Sequence, residues 1–343
     1  MLALHRSVTA LVCSAALMAG CSAPGSRLQS QPEVRLVQVG AALHHPVWSY
    51  RTNALVALTA DQRLAAVDRV DDPDALRTRL SAPLDAGRNV QISGRDDRQV
   101  FVPQPRRDLV AVIDLAGLRQ VGAFDAGPAP AYLSEDVGMR VLLALSADGS
   151  TVTPVDQYGL RKLPGAAVAE TAIIDGANRG RAIEFHTYGP SGIRYYKGPS
   201  SPPEQRGTFD ANIVAAAGDT TKVTRSYVAD ARRDLLYAID VARGGEGLEE
   251  VGRAVLDSPI RQLGTDDDRV YVATDRAVAV FQASSFAGYP DGTIPLLRVI
   301  DYRSALPSNA THSALSGMAI GPDRVYLTFR DQPIVVSVAK PML

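Results

Sequence analysis

Apolar residues along this chain come in short blocks, each closed by a turn signal. The run "LVAVID" ends at Asp114. Siblings end at Asp68 ("RLAAVD"), Asp156 ("TVTPVD"), Lys197 ("GIRYYK"), Asp240 ("LLYAID"), Gln282 ("AVAVFQ") and Val338 ("PIVVSV"). Successive ends lie 41 to 46 residues apart, except the last interval of 56. Each run follows a similar one a few residues upstream: "ALVAL" (54–58), "QVFVP" (99–103), "RVLLAL" (140–145), "AIEFHT" (182–187), "RSYVAD" (225–230), "RVYVAT" (269–274) and "RVYLTF" (324–329). Val, Tyr and Phe dominate, and gaps such as "SADGS" (146–150) and "DRA" (275–277) mark hairpins. The runs seldom alternate apolar with polar, so these strands are predicted to be buried on both faces.

A third run precedes most pairs, as in "HPVWSY" (45–50), "RNVQIS" (88–93), "APAYLS" (129–134), "ETAIID" (170–175), "SPIRQLG" (258–264) and "SGMAIG" (316–321). A fourth follows most pairs, as in "LRQVGAFD" (118–125), "LEEVGRAVLD" (248–257) and "IPLLRVID" (294–301). Four strands at a period near 42 predict an all-β fold, a β-propeller of about seven four-stranded blades. The seventh unit lacks its own fourth strand. The N-terminal run "VRLVQV" (34–39) is predicted to supply it and close the ring, which removes two free sheet edges. A two-domain split at the irregular stretch 158–222 is the rival reading, but the period runs through that stretch. No long segment keeps a 3.6-residue apolar period.

The stretch "FVPQPRRDLVAVIDLAGLRQVGAFDAGPAP" (101–130) resembles the YVTN-type propeller repeat. "YVAD" (227–230) and "YVAT" (271–274) are similar to the tetrapeptide that names it. The resemblance extends over residues 34–339, is best in the second, fifth and sixth units and is poorest in the fourth. It implies architecture strongly and function weakly.

The N-terminus reads differently. His5 and Arg6 precede an apolar run from Val8 to Ala19, too short to span a bilayer as a mature helix. "LMAGC" (17–21) resembles the bacterial lipobox, with Met18 where Leu is commonest. The resemblance implies cleavage before Cys21 and lipidation of its thiol; the alternative is an ordinary signal peptide. The expected organisation is a signal peptide over 1–20, a lipidated Cys21 with a flexible tether over 21–33, and a single propeller over 34–343. Cys13 leaves with the signal and Cys21 is acylated, so the mature chain has no disulfide and no thiolate metal site. The expected location is the extracytoplasmic face of the cell membrane, held by lipid.

Composition adds one exclusion. The formal net charge is −1, without the basic excess that phosphate binding requires, so nucleic acid is not an expected partner. Searches for G-x-S-x-G, a P-loop, H-E-x-x-H and C-x-x-C find nothing.

Candidate chemistry lies at repeated positions. Asp85, Asp125, Asp210, Asp257 and Asp301 each end a fourth strand, where the chain passes to the next inner strand. One reading makes them an acidic ring on the channel face; the other makes each a local turn cap. Arg88 and Arg261 open inner strands, His45 precedes the first and His312 the last. Because the first and seventh blades adjoin, His45 and His312 are expected to approach, which raises a channel metal; two ligands do not make a site, so no cofactor is expected. Two functions follow: a non-catalytic scaffold that binds a protein or envelope ligand, expected to be a monomer, or a channel enzyme similar to propeller lactonases and dehydrogenases, or a small-ligand receptor, using the central channel. The second predicts His45, His312, Arg88 or Arg261 converging in a channel pocket. The first predicts an exposed apolar patch near 282–317 or on an outer face.

Overall fold

The computed structural model describes residues 32–177, 180–198, 202–221, 223–231 and 234–342. Cys13 and Cys21 lie outside the described residues. Contacts gather Glu33–Leu343 into one compact unit. Seven antiparallel sheets, each built on a four-strand meander, stand as blades in a ring. The inner strands are Leu43–Ser49, Gln91–Ile92, Pro130–Asp136, Ile173–Gly176, Ile213–Gly218, Ile260–Thr265 and Leu315–Ile320. The all-β propeller predicted from the period is the fold.

The ring closes as the pattern requires. Val34–Gln38 pairs antiparallel with Gln332–Ala339, from Val34 opposite Val338 to Gln38 opposite Ile334. The first strand of the described residues is thus the outermost strand of the seventh blade, and it and Gln332–Ala339 cover an edge of each other.

Second and third strands are buried on both faces because blades stack face to face. Ala54–Thr59, Val141–Ser146 and Arg324–Phe329 are buried at every residue. Each hydrophobic cluster of the described residues lies between two neighbouring blades. One joins Val56, Leu58 and Leu64 of the first blade to Val100, Val102 and Ile113 of the second. Another joins Trp48 and Leu55 of the first to Tyr326 and Val335 of the seventh, where Trp48 stacks on Tyr326 with centroids 4.9 Å apart. The core is therefore a set of wedges around the axis, and a continuous apolar strand serves two wedges at once. Outer strands, with only one neighbour in the sheet, alternate or are exposed, as Arg119–Phe124 and Leu296–Asp301 do.

The long connections near the C-terminus are pinned to the ring. In the loop after Gln282, Tyr289 meets Tyr227 at 3.0 Å between hydroxyls and Ser285 donates to Asp219 at 2.6 Å. Backbone bonds join Arg253 N–H to Gly292 O and Ile294 N–H to Arg253 O, each 2.9 Å, so this loop lays an extended segment along the outer edge of the fifth blade.

Candidate functional site

Five of the seven inner strands share a deformation at their entry. Register shifts fall between His44 and Val47, Pro130 and Tyr132, Ile213 and Ala215, Ile260 and Gln262, and Leu315 and Gly317. A bulge bends its strand and re-aims the extra side chain. Here the extra residues include His45, Val214 and Arg261, and all three line the mouth of the central channel. Two glycines permit the crowding. A Cβ on Gly317 would meet Pro46 Cδ at 2.3 Å, and one on Gly87 would meet Ala131 O at 2.5 Å. The second approach lets Arg88 N–H donate to Ala131 O at 2.6 Å and sets Arg88 at the mouth.

The mouth is a cavity of about 450 Å³ drawn from all seven blades, with His45, Arg88, Tyr132 and Arg261 as its polar groups of note. Arg88 lies over the Tyr132 ring, 5.4 Å from its centroid, and donates to Ala172 O at 2.7 Å. Burial lowers the Arg88 pKa from its ordinary value. Arg261 forms an ion pair with Asp275 at 2.7 Å, which raises its pKa. The His45 imidazole is exposed to channel water yet ringed by protein; that desolvation, with the charges of His44 and Arg88, lowers its pKa. The imidazolium form of His45 is thus disfavoured, with Arg88 among the charges that act on it.

The opposite half of the channel, about 350 Å³, is acidic, with Glu135 and Asp175 on its wall. Asp175 accepts from Ser134 Oγ at 2.8 Å, and from the N–H groups of Gly176 at 3.0 Å and Gly218 at 2.5 Å, so one carboxylate brackets three inner strands. Burial raises its pKa despite those donors. The channel is cationic at the strand-entry face and acidic at the other. That polarity suits a small anion at the mouth.

The aspartates of the repeat stand elsewhere. Neither half of the channel is lined by Asp85, Asp125, Asp210, Asp257 or Asp301. Asp125, Asp210, Asp257 and Asp301 stand at or just past the ends of outer strands, whereas Asp85 lies five residues beyond the outer strand Arg77–Leu80 rather than at its end; an outer strand sits three strand spacings of roughly 4.8 Å from the inner one. Asp125 accepts the Gly127 N–H at 2.9 Å and pairs with Lys162, and Asp301 accepts the Ser304 N–H at 3.1 Å. Asp85 faces Arg106 at 3.6 Å, Asp210 is exposed, and Asp257 lines a groove on the rim with Asp301. At Asp125 and Asp301 the carboxylate is a turn cap. His312 is exposed and is not among the mouth residues, so the mouth gathers His45, Arg88 and Arg261 without it. Among the described residues no group of three or more His, Cys, Asp or Glu is placed to hold a metal ion.

Of two further arrangements, the first is not read from the sequence and the second lies where an apolar patch is expected. Ser226 Oγ lies 3.3 Å from His186 Nδ1 and 2.7 Å from Tyr188 Oη, a hydroxyl–imidazole pair inside the fourth and fifth blades. Both Ser226 and His186 are buried, at 0% and 1% exposure, and burial drives the His186 pKa down to about 4. Substrate has no route to such a pair, and its place is packing.

The second is a groove of about 320 Å³ on the rim between the fifth and sixth blades, lined by Val255, Phe281, Leu296 and Val299. Val255 is 74% exposed and Val299 55%. Its Leu296 and Val299 fall within the 282–317 stretch where an exposed apolar patch is expected.

No protein-family model matches the chain, and no curated protein matches it. Among solved structures, that of U3-55K superimposes with a TM-score of 0.65 at 12% identity, covering 90% of this chain and 98% of that one. The WD40 repeats of RRP9 superimpose with a TM-score of 0.67 at 11% identity over the same shares. The likeness is one of fold.

Proposed function

We propose that this protein is a lipid-anchored, extracytoplasmic binding propeller of the YVTN type, non-catalytic, that holds an envelope protein at its rim. The observation that carries the reading is the groove between the fifth and sixth blades. Its apolar walls are exposed, and exposed apolar patches of this kind mark interaction sites. The groove runs beside Leu296–Asp301, an outer strand with an open edge. The neighbouring outer edge already accepts one extended segment, Gly292–Ile294, which reaches Arg253 and stops short of Val255. The occupant that fits is an extended partner segment that pairs with the edge and sets apolar side chains between Val255 and Val299.

Support for the anchor is the "LMAGC" stretch and the tether after it. Cys21→Ala in the full chain should move the protein from the membrane fraction to the soluble fraction, and retention in membranes would refute lipidation. Val255→Asp and Val299→Asp should lose the bound partner without loss of fold, and unchanged binding would refute the rim site.

A second reading is a small-anion receptor in the channel. What favours it is the convergence of Arg88, Arg261 and His45 on one cavity. Arg88→Ala would then abolish ligand binding and leave the rim partner in place.

A further inference from the structure

A pocket on the face opposite the channel mouth has a donor and acceptor pattern that neither proposed site explains. It lies where the first turn of the second blade meets two turns of the third. Its volume is about 410 Å³, within the roughly 300–1,000 Å³ of small-molecule sites. Arg95 and Arg140 enter it from different turns and flank Tyr158, their guanidinium carbons 5.8 and 5.3 Å from the ring centroid. Arg95 Nη1 also donates to Tyr158 O at 2.9 Å. Among the described residues neither guanidinium has a carboxylate partner, unlike Arg261 and Arg206, which pair with Asp275 and Glu204.

The pocket floor is polar and fixed. Gln157 is 3% exposed, and its Nε2 donates to Glu135 Oε1 at 2.6 Å. That bond sets the amide's orientation, since a carboxylate takes the nitrogen and not the oxygen. The Gln157 Oε1 is left buried with no hydrogen-bond partner. Glu135 is packed against Gly94, where a Cβ would lie 2.1 Å from Oε1, so the carboxyl is held in place. Burial raises the Glu135 pKa against the hydrogen bonds from Gln157 and Gln91, and a cation set beside it would offset the remaining shift.

An orphan buried acceptor and a desolvated carboxyl call for a cationic donor; two unpaired guanidinium groups call for an anion. We propose that this pocket binds a free α-amino acid, its carboxylate on Arg95 and Arg140 and its ammonium on Gln157 Oε1 and Glu135. Tyr158 and Val137, both exposed, form the wall for the side chain. The site is independent of the lipid anchor, the rim groove and the channel mouth.

The test is a thermal-shift screen of the full chain carrying Cys21→Ala against the twenty common amino acids one at a time. The best is then titrated by calorimetry beside its N-acetyl and amide forms and beside inorganic phosphate. At least one amino acid should bind saturably, and each blocked form should bind at least tenfold more weakly. Arg140→Ala and Gln157→Leu should each weaken binding at least tenfold, Arg140→Lys less, and Arg88→Ala not at all. Unliganded melting temperatures close to the parent's certify that the variants are folded. Failure of every amino acid to bind at 10 mM would overturn the proposal. So would binding of the N-acetyl form or of phosphate as tightly as the free amino acid, since the site would then be a simple anion site.

Discussion

Replacing Val37 by Ala tests whether the N-terminal strand holds the ring shut. Val37 is 3% exposed, sits opposite Val335 in the closing pair and packs with Leu43, Leu55 and Val335 between the seventh and first blades. The change removes two carbons at about 0.8 kcal/mol each, and the cavity left behind brings the loss to roughly 2–3 kcal/mol. For a domain of this size that corresponds to a fall in melting temperature of about 3–5 °C. The control is Val121→Ala on an outer strand, where the side chain is 60% exposed and the expected change is within about 1 °C. Differential scanning calorimetry on both variants reads the difference. If Val37→Ala melts with the control, the first strand is not docked in solution and the closure described above is wrong.

Two further outcomes follow. The neutral, buried His186 binds its proton at about pH 4 in the fold, against about 6.5 when unfolded. The unfolded chain therefore takes up protons first as pH falls, and stability worth ~3 kcal/mol is lost between about pH 6.5 and 4. His186→Phe should flatten that acid limb in thermal melts at pH 7 and pH 5, and an unchanged slope would reject the assignment. Asp125→Ala should cost under about 1 kcal/mol, the worth of an exposed ion pair and a turn contact, and should leave any channel ligand's affinity unchanged. Altered affinity would restore the acidic ring.

The architecture was legible because each blade repeats one physical problem. The second and third strands serve two wedges, so they are apolar throughout, and "LVAVID" and its siblings announce them. The closing strand was legible because the seventh unit came up one strand short. The site was less so. Arg88, Arg261 and His45 were placed by position in the repeat, but bulges decide which side chains enter the mouth, and a bulge of one residue leaves little trace in composition. The aspartates look alike along the chain, and the sequence does not encode how far an outer strand stands from the axis. His312 sits on a long connection whose path depends on Tyr302, Leu306 and Ala310, all buried against the sixth and seventh blades. The Arg95–Arg140–Tyr158 pocket comes from three turns of ordinary turn composition, and only the packing of two blades brings them together.

The rim groove decides whether this ring is a binding protein. A photoreactive residue placed at Val299 of the full chain in its own membranes, with Val121 as an equally exposed control, measures that directly. The account predicts one discrete adduct at Val299, abolished by Val255→Asp, and none at Val121. Equal adducts at both positions, or an adduct that survives Val255→Asp, would contradict it.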